Sequence, residues 1–129
     1  MDREQVDLLT QRVIGAFFEV SKALGAGFLE QVYAEALMRK LELAGISAVS
    51  QAPFSVFYKG HSVGEYFGDL VVEGSLLGEL KCVERLGAAH TAQCVNYLKA
   101  SGICFVCWLI FSGLRWSGGG WCWGFEYVC

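Results

Sequence analysis

Two apolar runs, separated by a short polar turn, lie in the middle of the chain and carry three charged side chains. The first run covers residues 67–72 and the second covers residues 76–82. This pattern predicts two strands joined as a hairpin. Asp69 lies in the first strand, and Glu79 and Lys81 lie in the second. Charges inside buried strands cost free energy unless they pair or bind a metal, so this hairpin is the first candidate for a functional site.

The register of the hairpin decides whether these charges meet. Side chains alternate between the two faces of a strand, so Glu79 and Lys81 share a face. A loop formed by Glu73-Gly74-Ser75 places Asp69 directly opposite Glu79, with about 4.5–5.5 Å between their Cβ atoms. A loop one residue shorter would pair Asp69 with Leu80 and scatter the charges between the two faces. We predict the first register.

Two neighbouring carboxylates, here Asp69 and Glu79, repel each other unless one binds a proton or a cation neutralises both. Oxygen ligands suit Mg²⁺ or Mn²⁺, with water and a substrate phosphate completing the coordination shell. Lys81 would orient or deprotonate a metal-bound water, or neutralise charge that develops on a phosphoryl oxygen. The alternative is a buried ion pair without a catalytic role, and the spacing alone does not decide between the two.

Length and composition limit what the chain can be. With 129 residues it is long enough for one compact domain. Its net charge is −3 and its pI about 5.3, whereas a general nucleic-acid binder is usually basic. Any contact with nucleic acid must therefore come from a local patch. Hydrophobic residues make up 54% of the sequence, which indicates a surface for a homo-oligomer or a partner protein.

The sequence also predicts where the protein is found. Its longest apolar stretch, residues 103–111, is too short to cross a bilayer as a helix. The N-terminal residues contain no apolar signal-peptide segment, so we expect a cytoplasmic protein with no membrane partner. Disulfides are rare in that compartment, and the six cysteines are expected to be ordinary buried thiols.

Apolar periodicity predicts three helices and four strands in the order α-α-β-β-β-α-β. The predicted fold is α/β or α+β, with one mixed central sheet flanked by helices. Pro53 favours an edge position for the first strand, and the fully apolar last strand is expected to be central. The helices are predicted over residues 3–24, 28–44 and 88–101, and the strands over 48–58, 61–72, 76–83 and 103–111.

Residues 112–129 differ in composition from the rest of the chain. Three of the four tryptophans lie there around a triglycine, with no helical period and only a weak strand pattern. The segment is either a ragged terminal hairpin or one that orders only on contact with another chain. True divergence and a change of reading frame near Ser112 both explain its composition. We predict a single domain over residues 1–111, followed by an atypical tail.

Glu30 and Tyr33 open the second predicted helix and share one of its faces. The helix dipole favours an acid in the first turn, so Glu30 is either a solvated first-turn acid or a site residue. Tyr33 is either a half-buried packing residue or part of the same site.

Gln93 and Tyr97 lie on the third predicted helix and are expected to form one polar face with His90. Their neutral hydrogen-bonding groups would hold a phosphate backbone or a metal-bound water without adding charge. The alternative is an exposed polar face without a function, and His90 fits a capping or surface histidine. The side chains expected to face the core are Cys94, Val95 and Leu98.

Taken together, these clusters resemble one known family. Residues from about 5 to 111 are similar, in the right order, to the GxxExxY family of the PD-(D/E)XK nuclease superfamily. Four separate motifs agree, which makes the resemblance specific. The motifs are Gly27-x-x-Glu30-x-x-Tyr33, Gly68-Asp69-Leu70, Glu79-Leu80-Lys81 and His90-x-x-Gln93-x-x-Asn96-Tyr97-Leu98-Lys99-Ala100.

The resemblance implies a fold and a metal site. The fold would be a restriction-endonuclease-like αβββαβ core preceded by an N-terminal helix. Asp69 and Glu79 would ligate Mg²⁺ or Mn²⁺, and Lys81 would be the catalytic lysine. Glu30 would be an additional acidic ligand from the early helix.

The resemblance also implies a reaction. Gln93 and Tyr97 match the Gln-x-x-x-Tyr element of the RecB-like branch, which lies near the scissile phosphate. The reaction would be hydrolysis of phosphodiester bonds in nucleic acid, DNA in preference to RNA, by metal-activated water. The chain departs from the pattern at Tyr66-Phe67-Gly68, where relatives usually carry an Arg or Lys shortly before the acid. One expected phosphate contact is therefore missing.

Three functions compete at this point. The acidic and basic residues of the hairpin favour a metal-dependent nuclease, because a pure scaffold has no need for such a costly cluster. The acidic net charge favours a catalytically silent nuclease-fold module that binds nucleic acid or a protein partner. The apolar tail favours an obligate subunit that docks on a larger complex.

Overall fold

The protein was examined as a computed structural model, which describes residues 1–25, 27–81, 88–111 and 121–127. The side chains at 90–91, 110–111 and 121–127 are not described. The predicted elements are all present in the predicted order, and a further strand follows them. The elements are α1 (Arg3–Leu24), α2 (Glu30–Leu43), β1 (Ala48–Tyr58), β2 (His61–Val72), β3 (Leu76–Lys81), α3 (Ala88–Ser101), β4 (Phe105–Phe111) and β5 (Trp121–Tyr127).

The strands form one mixed sheet in the order β1-β2-β3-β4-β5. Three neighbouring pairs are antiparallel, and β3 and β4 are parallel because α3 crosses over between them. The α/β (α+β) class with a mixed, helix-flanked sheet is therefore confirmed. β1, which contains Pro53, lies at an edge as predicted, and β4 has a neighbour on each side. The sheet also continues into the tail, because β5 pairs with β4.

Two apolar clusters fix the helices on opposite faces of the sheet. On one face, α1 and α2 pack against β-strand residues such as Leu70, Leu76 and Leu109. On the other face, Tyr97 and Leu98 of α3 pack with Leu77, Val106 and Trp108. Burial of both faces of the central strands explains why their sequences are almost continuously apolar.

The helix ends follow local sequence signals. Asp2 accepts a hydrogen bond from the backbone N–H of Gln5, at 2.8 Å, and the Gln5 side chain accepts one from the backbone N–H of Asp2, at 2.9 Å. This capping box satisfies donors at the start of α1. The second helix begins at Glu30 and not at residue 28, since Leu29 still has an extended backbone.

Three side-chain expectations were wrong. Val95 was expected in the core but is 42% exposed, while Tyr97, expected on a polar face, is 3% exposed. The core-facing side of α3 is formed by Cys94, Tyr97 and Leu98, spaced as one helical face requires. Cys94 and Cys107 are buried free thiols as expected, but Cys104 is disulfide-bonded. Among the described residues, no helix combines the length and apolarity needed to span a bilayer.

Candidate active site

The β2–β3 hairpin has the predicted register. Val72 pairs with Leu76 and Leu70 pairs with Gly78 across the three-residue turn between the strands. The Ser75 backbone N–H closes that turn by donating to the Val72 carbonyl at 3.0 Å. The described pairing ends there, and the next residue on each strand is Asp69 on β2 and Glu79 on β3, which the same register would set opposite each other.

Asp69, Glu79 and Lys81 form one cluster where β2 and β3 separate. Lys81 Nζ lies 3.8 Å from Asp69 Oδ2 and 3.9 Å from Glu79 Oε2. Asp69 Oδ2 accepts a hydrogen bond of 2.9 Å from the backbone N–H of Leu80. Glu79 Oε1 accepts a longer one, 3.4 Å, from the backbone N–H of Asp69. The two acids and the lysine are thus held together by backbone donors as well as by charge.

Burial disfavours the charged forms of the acids in this cluster. Only 17% of the Asp69 side chain, 9% of the Glu79 side chain and 17% of the Lys81 side chain are exposed. The pKa of Glu79 rises from its ordinary value of 4.5 to about 8, first through burial and then through the neighbouring Asp69, while Lys81 opposes the rise. One lysine therefore does not neutralise both acids. Near neutral pH the site holds a proton that a divalent cation would replace.

Glu30, at the start of α2, lies close to Asp69 of the hairpin. A cavity of about 60 Å³ is lined by Glu30 at the start of α2 and by Asp69 and Leu80 of the hairpin. Gln51 of β1, which the sequence did not single out, lines it as well. The structure therefore brings Glu30 to the cavity beside Asp69. Among the described residues, however, no three His, Cys, Asp or Glu side chains lie close enough together to hold a metal ion.

Two carboxylates are nevertheless a sufficient protein contribution for Mg²⁺. This ion keeps several waters and is usually bound through one or two carboxylates together with substrate phosphates. Asp69 and Glu79, opposite each other and short of positive charge, fit that requirement.

Tyr33 fastens the segment that precedes α2. Its side chain is 1% exposed, and its hydroxyl donates to the Gly25 carbonyl at 2.6 Å. The same hydroxyl accepts a hydrogen bond from the backbone N–H of Phe28 at 3.3 Å. The Gly27-x-x-Glu30-x-x-Tyr33 motif thus has a structural component, since Tyr33 ties down the chain just before Glu30.

Gln93 and Tyr97 occupy different environments on α3. Gln93 is exposed, whereas Tyr97 is buried against Leu77 and Trp108. The pKa of Tyr97 is raised, mainly by burial and further by the charge of Glu79, so its hydroxyl stays protonated. Tyr97 therefore lies close enough to Glu79 for the charge of that carboxylate to affect its pKa. The side chain of His90 lies outside the described residues.

Comparison with known proteins gives one match. A family model for the PD-(D/E)XK nuclease superfamily matches residues 7–116, which includes all the elements from α2 to β4. No curated protein and no solved structure matches the chain.

Proposed function

The chain belongs to the PD-(D/E)XK nuclease superfamily, with its restriction-endonuclease-like fold, and from that membership we propose that it is a Mg²⁺- or Mn²⁺-dependent nuclease. The observation that supports this proposal is the buried cluster of Asp69, Glu79 and Lys81. Burial of two acids with one lysine costs desolvation free energy that a purely structural protein gains nothing from. The same arrangement is useful for hydrolysis of a phosphodiester.

In this proposal, each residue of the cluster has a separate task. Asp69 and Glu79 hold the divalent ion, which supplies an activated water and polarises the phosphoryl group. Lys81, within 4 Å of both acids, stabilises negative charge that develops on the phosphate in the transition state. The backbone N–H of Leu80 keeps the Asp69 carboxylate in place.

We propose supporting tasks for three other residues. Glu30 acts as an additional acid across the cavity from Asp69, as in the GxxExxY family. Gln93 is exposed and free to donate its amide to a substrate phosphate. Tyr97 orders the Glu79 side of the cluster through its protonated hydroxyl. Assignment to the RecB-like branch rests on these last two residues. The substrate is nucleic acid, DNA in preference to RNA, and the protein acts in the cytoplasm.

A second candidate is a catalytically silent module of the same fold. The net charge of −3 favours it, because a nuclease that grips its substrate through phosphates usually presents excess positive charge. In this case the acids remain a structural cluster, and the partner is nucleic acid bound through a local patch, or another protein.

Titration of the protein with Mn²⁺ by calorimetry tests the metal site. We expect wild-type protein to bind the ion and the Asp69→Asn variant to lose at least ~10-fold in affinity. Glu42→Gln is the matched control, since Glu42 is an exposed acid of α2 whose carboxylate pairs with Arg39 and not with the Asp69 cluster in the part of the chain that the structure describes. Binding that is absent from wild type, or unchanged in Asp69→Asn, contradicts the proposal.

Cleavage assays with the Lys81→Met variant separate a catalyst from a binder. The substitution removes the charge but leaves both metal-binding acids, so Mn²⁺ binding should persist. Cleavage of single- or double-stranded DNA should fall at least ~100-fold, as expected for loss of a positioned catalytic group. A wild-type protein that binds Mn²⁺ but cleaves neither DNA nor RNA supports the silent module.

A further inference from the structure

Gln51 has a backbone conformation that its position does not explain. It lies inside β1 with φ +50°, in the left-handed region that residues other than glycine rarely adopt. Two other described non-glycine residues have positive φ, Lys59 and Glu73, and both belong to hairpin turns. In the interior of a strand this conformation costs free energy, and such strain typically persists at functional sites.

The conformation of Gln51 interrupts the ladder beside Asp69. Pairing passes from Ser50–Leu70 to Ala52–Gly68 without a Gln51–Asp69 pair. Across this break the strands change which side chains face α3. Val71 packs with the α3 cluster, yet a Cβ on Gly68, three positions away, would also meet Tyr97 of that cluster. Regular alternation would put these two positions on opposite faces.

The break has a direct effect on Asp69. Its backbone N–H donates to Glu79 Oε1, and its carboxylate accepts from Leu80 of β3. Asp69 therefore bonds to Glu79 and Leu80 of β3 at the point where its pairing with β1 is interrupted. Gln51 and Asp69 are the two residues skipped by the pairing, and the register of their neighbours sets them opposite each other.

Gln51 also shares a cavity with the acids. It lines the same space of about 60 Å³ as Glu30 and Asp69, and it is exposed to solvent. Its amide can accept one hydrogen bond and donate others without adding charge. A third carboxylate at this place would increase the repulsion between the acids, whereas an amide can hold a water between them.

We propose that Gln51 is a positioning residue of the metal site, whose side-chain amide binds a water of the metal coordination shell between Asp69 and Glu30. The inference rests on the proposed metal-dependent function. If the break in the ladder were purely structural, glycine would adopt it at a lower conformational free energy, because glycine adopts positive φ freely. The side chain retained at Gln51 is therefore assigned to the cavity.

The variant Gln51→Gly tests this role, because it is compatible with the backbone break and removes the side chain that carries the amide. Lys59→Gly is the matched control, since it relieves the same kind of strain, φ +48°, in the hairpin turn away from the acids. We expect both variants to melt at or above the wild-type temperature. Only Gln51→Gly should weaken Mn²⁺ affinity, by about 10-fold, as for other groups that support metal ligands through hydrogen bonds.

A second variant, Gln51→Asn, guards against misfolding. Asparagine tolerates positive φ and retains an amide, so it should recover part of the affinity lost in Gln51→Gly. Unchanged Mn²⁺ affinity in Gln51→Gly, in a series where Asp69→Asn abolishes binding, overturns the role of Gln51 and leaves the proposed function intact. Affinity that falls in Gln51→Gly and equally in Gln51→Asn also overturns it. Wild-type protein that binds no Mn²⁺ overturns both proposals.

Discussion

Glu79 shows most clearly what residue-level reasoning can and cannot predict. The hairpin spacing predicted its neighbours, because a three-residue turn fixes which side chains oppose each other. The extent of its burial could not be read from the spacing. It depends on α3 and on β4, whose Trp108 pairs with Glu79 in the parallel ladder. The raised pKa is therefore a property of the packed molecule.

The pH dependence of stability should report this pKa. A buried acid with a pKa of about 8 in the folded state and 4.5 unfolded binds more protons when folded. The free energy of unfolding should therefore decrease as pH rises from about 4.5 to about 8, with a slope of at most ~1.4 kcal/mol per pH unit. Urea denaturation across this range measures it.

The Glu79→Gln variant tests the assignment. It should remove most of the decline in stability between these pH values, whereas the exposed acid variant Glu42→Gln should retain it. A wild-type stability that rises with pH over this interval would contradict the proton held at Glu79.

At the scale of elements, the contact of α3 with β2 was the least well predicted part of the fold. The helix itself was predicted with the correct bounds, residues 88–101. Its orientation was not, since Tyr97 has a polar tip on an apolar ring and its spacing fits a polar face with Gln93 as well as an apolar face with Cys94 and Leu98. The deciding contact is Gly68, and a Cβ there would lie 3.0 Å from the Tyr97 ring.

Substitution Gly68→Ala tests this contact. The added methyl would lie 2.8 Å from Leu77 Cδ1 and 3.0 Å from the Tyr97 ring, so both side chains must shift. We expect the free energy of unfolding to fall by about 1–3 kcal/mol, the usual cost of overpacking. Denaturation with urea measures it.

Gly15→Ala is the matched control for this substitution. Gly15 lies within α1 and a Cβ there meets nothing within 4 Å. The same added methyl should therefore stabilise the helix by about 0.5–1 kcal/mol. Equal effects of the two substitutions would mean that Tyr97 does not pack on Gly68.

At the scale of the molecule, sequence periodicity was sufficient for the order of the elements because each one is long and strongly patterned. It was not sufficient for two features. The switch of faces at Gln51 arises from a single φ angle, which leaves no periodic signal. β5 was not predicted as a definite strand because its sequence, Trp-Cys-Trp-Gly-Phe-Glu-Tyr, lacks a clear alternation of polar and apolar residues. Its pairing with β4 supplies the hydrogen bonds that define it as a strand.

Three apolar side chains at the tip of the β1–β2 hairpin are exposed to solvent. Phe57 is 66% exposed, Tyr58 64% and Val63 62%. We propose that this tip contacts a second copy, which agrees with the high apolar content. Light scattering at tens of micromolar should give a mass near twice 14.2 kDa for wild type. The Phe57→Ser/Val63→Ser variant should return to the monomer mass.

Leu8→Ser is the control for that measurement, because Leu8 is 57% exposed on α1 and stands apart from the hairpin tip. It should leave the mass unchanged. A wild-type protein that is monomeric at this concentration would contradict self-association through the tip.

The difference in length between β2 and β3 divides the sheet into two parts. β2 has 12 residues and β3 has 6, and their described pairing is confined to Leu70–Val72 on the β2 side. Beyond the positions of Tyr66 and Gly68, which face α3, β1 and β2 form a two-stranded ribbon, a structure with little stability of its own. The amide protons of this ribbon should exchange with deuterium through local openings. Those of the central strands should exchange only when the whole molecule unfolds. Asp69 lies between this ribbon and the central strands, next to the strand that carries Glu79 and Lys81.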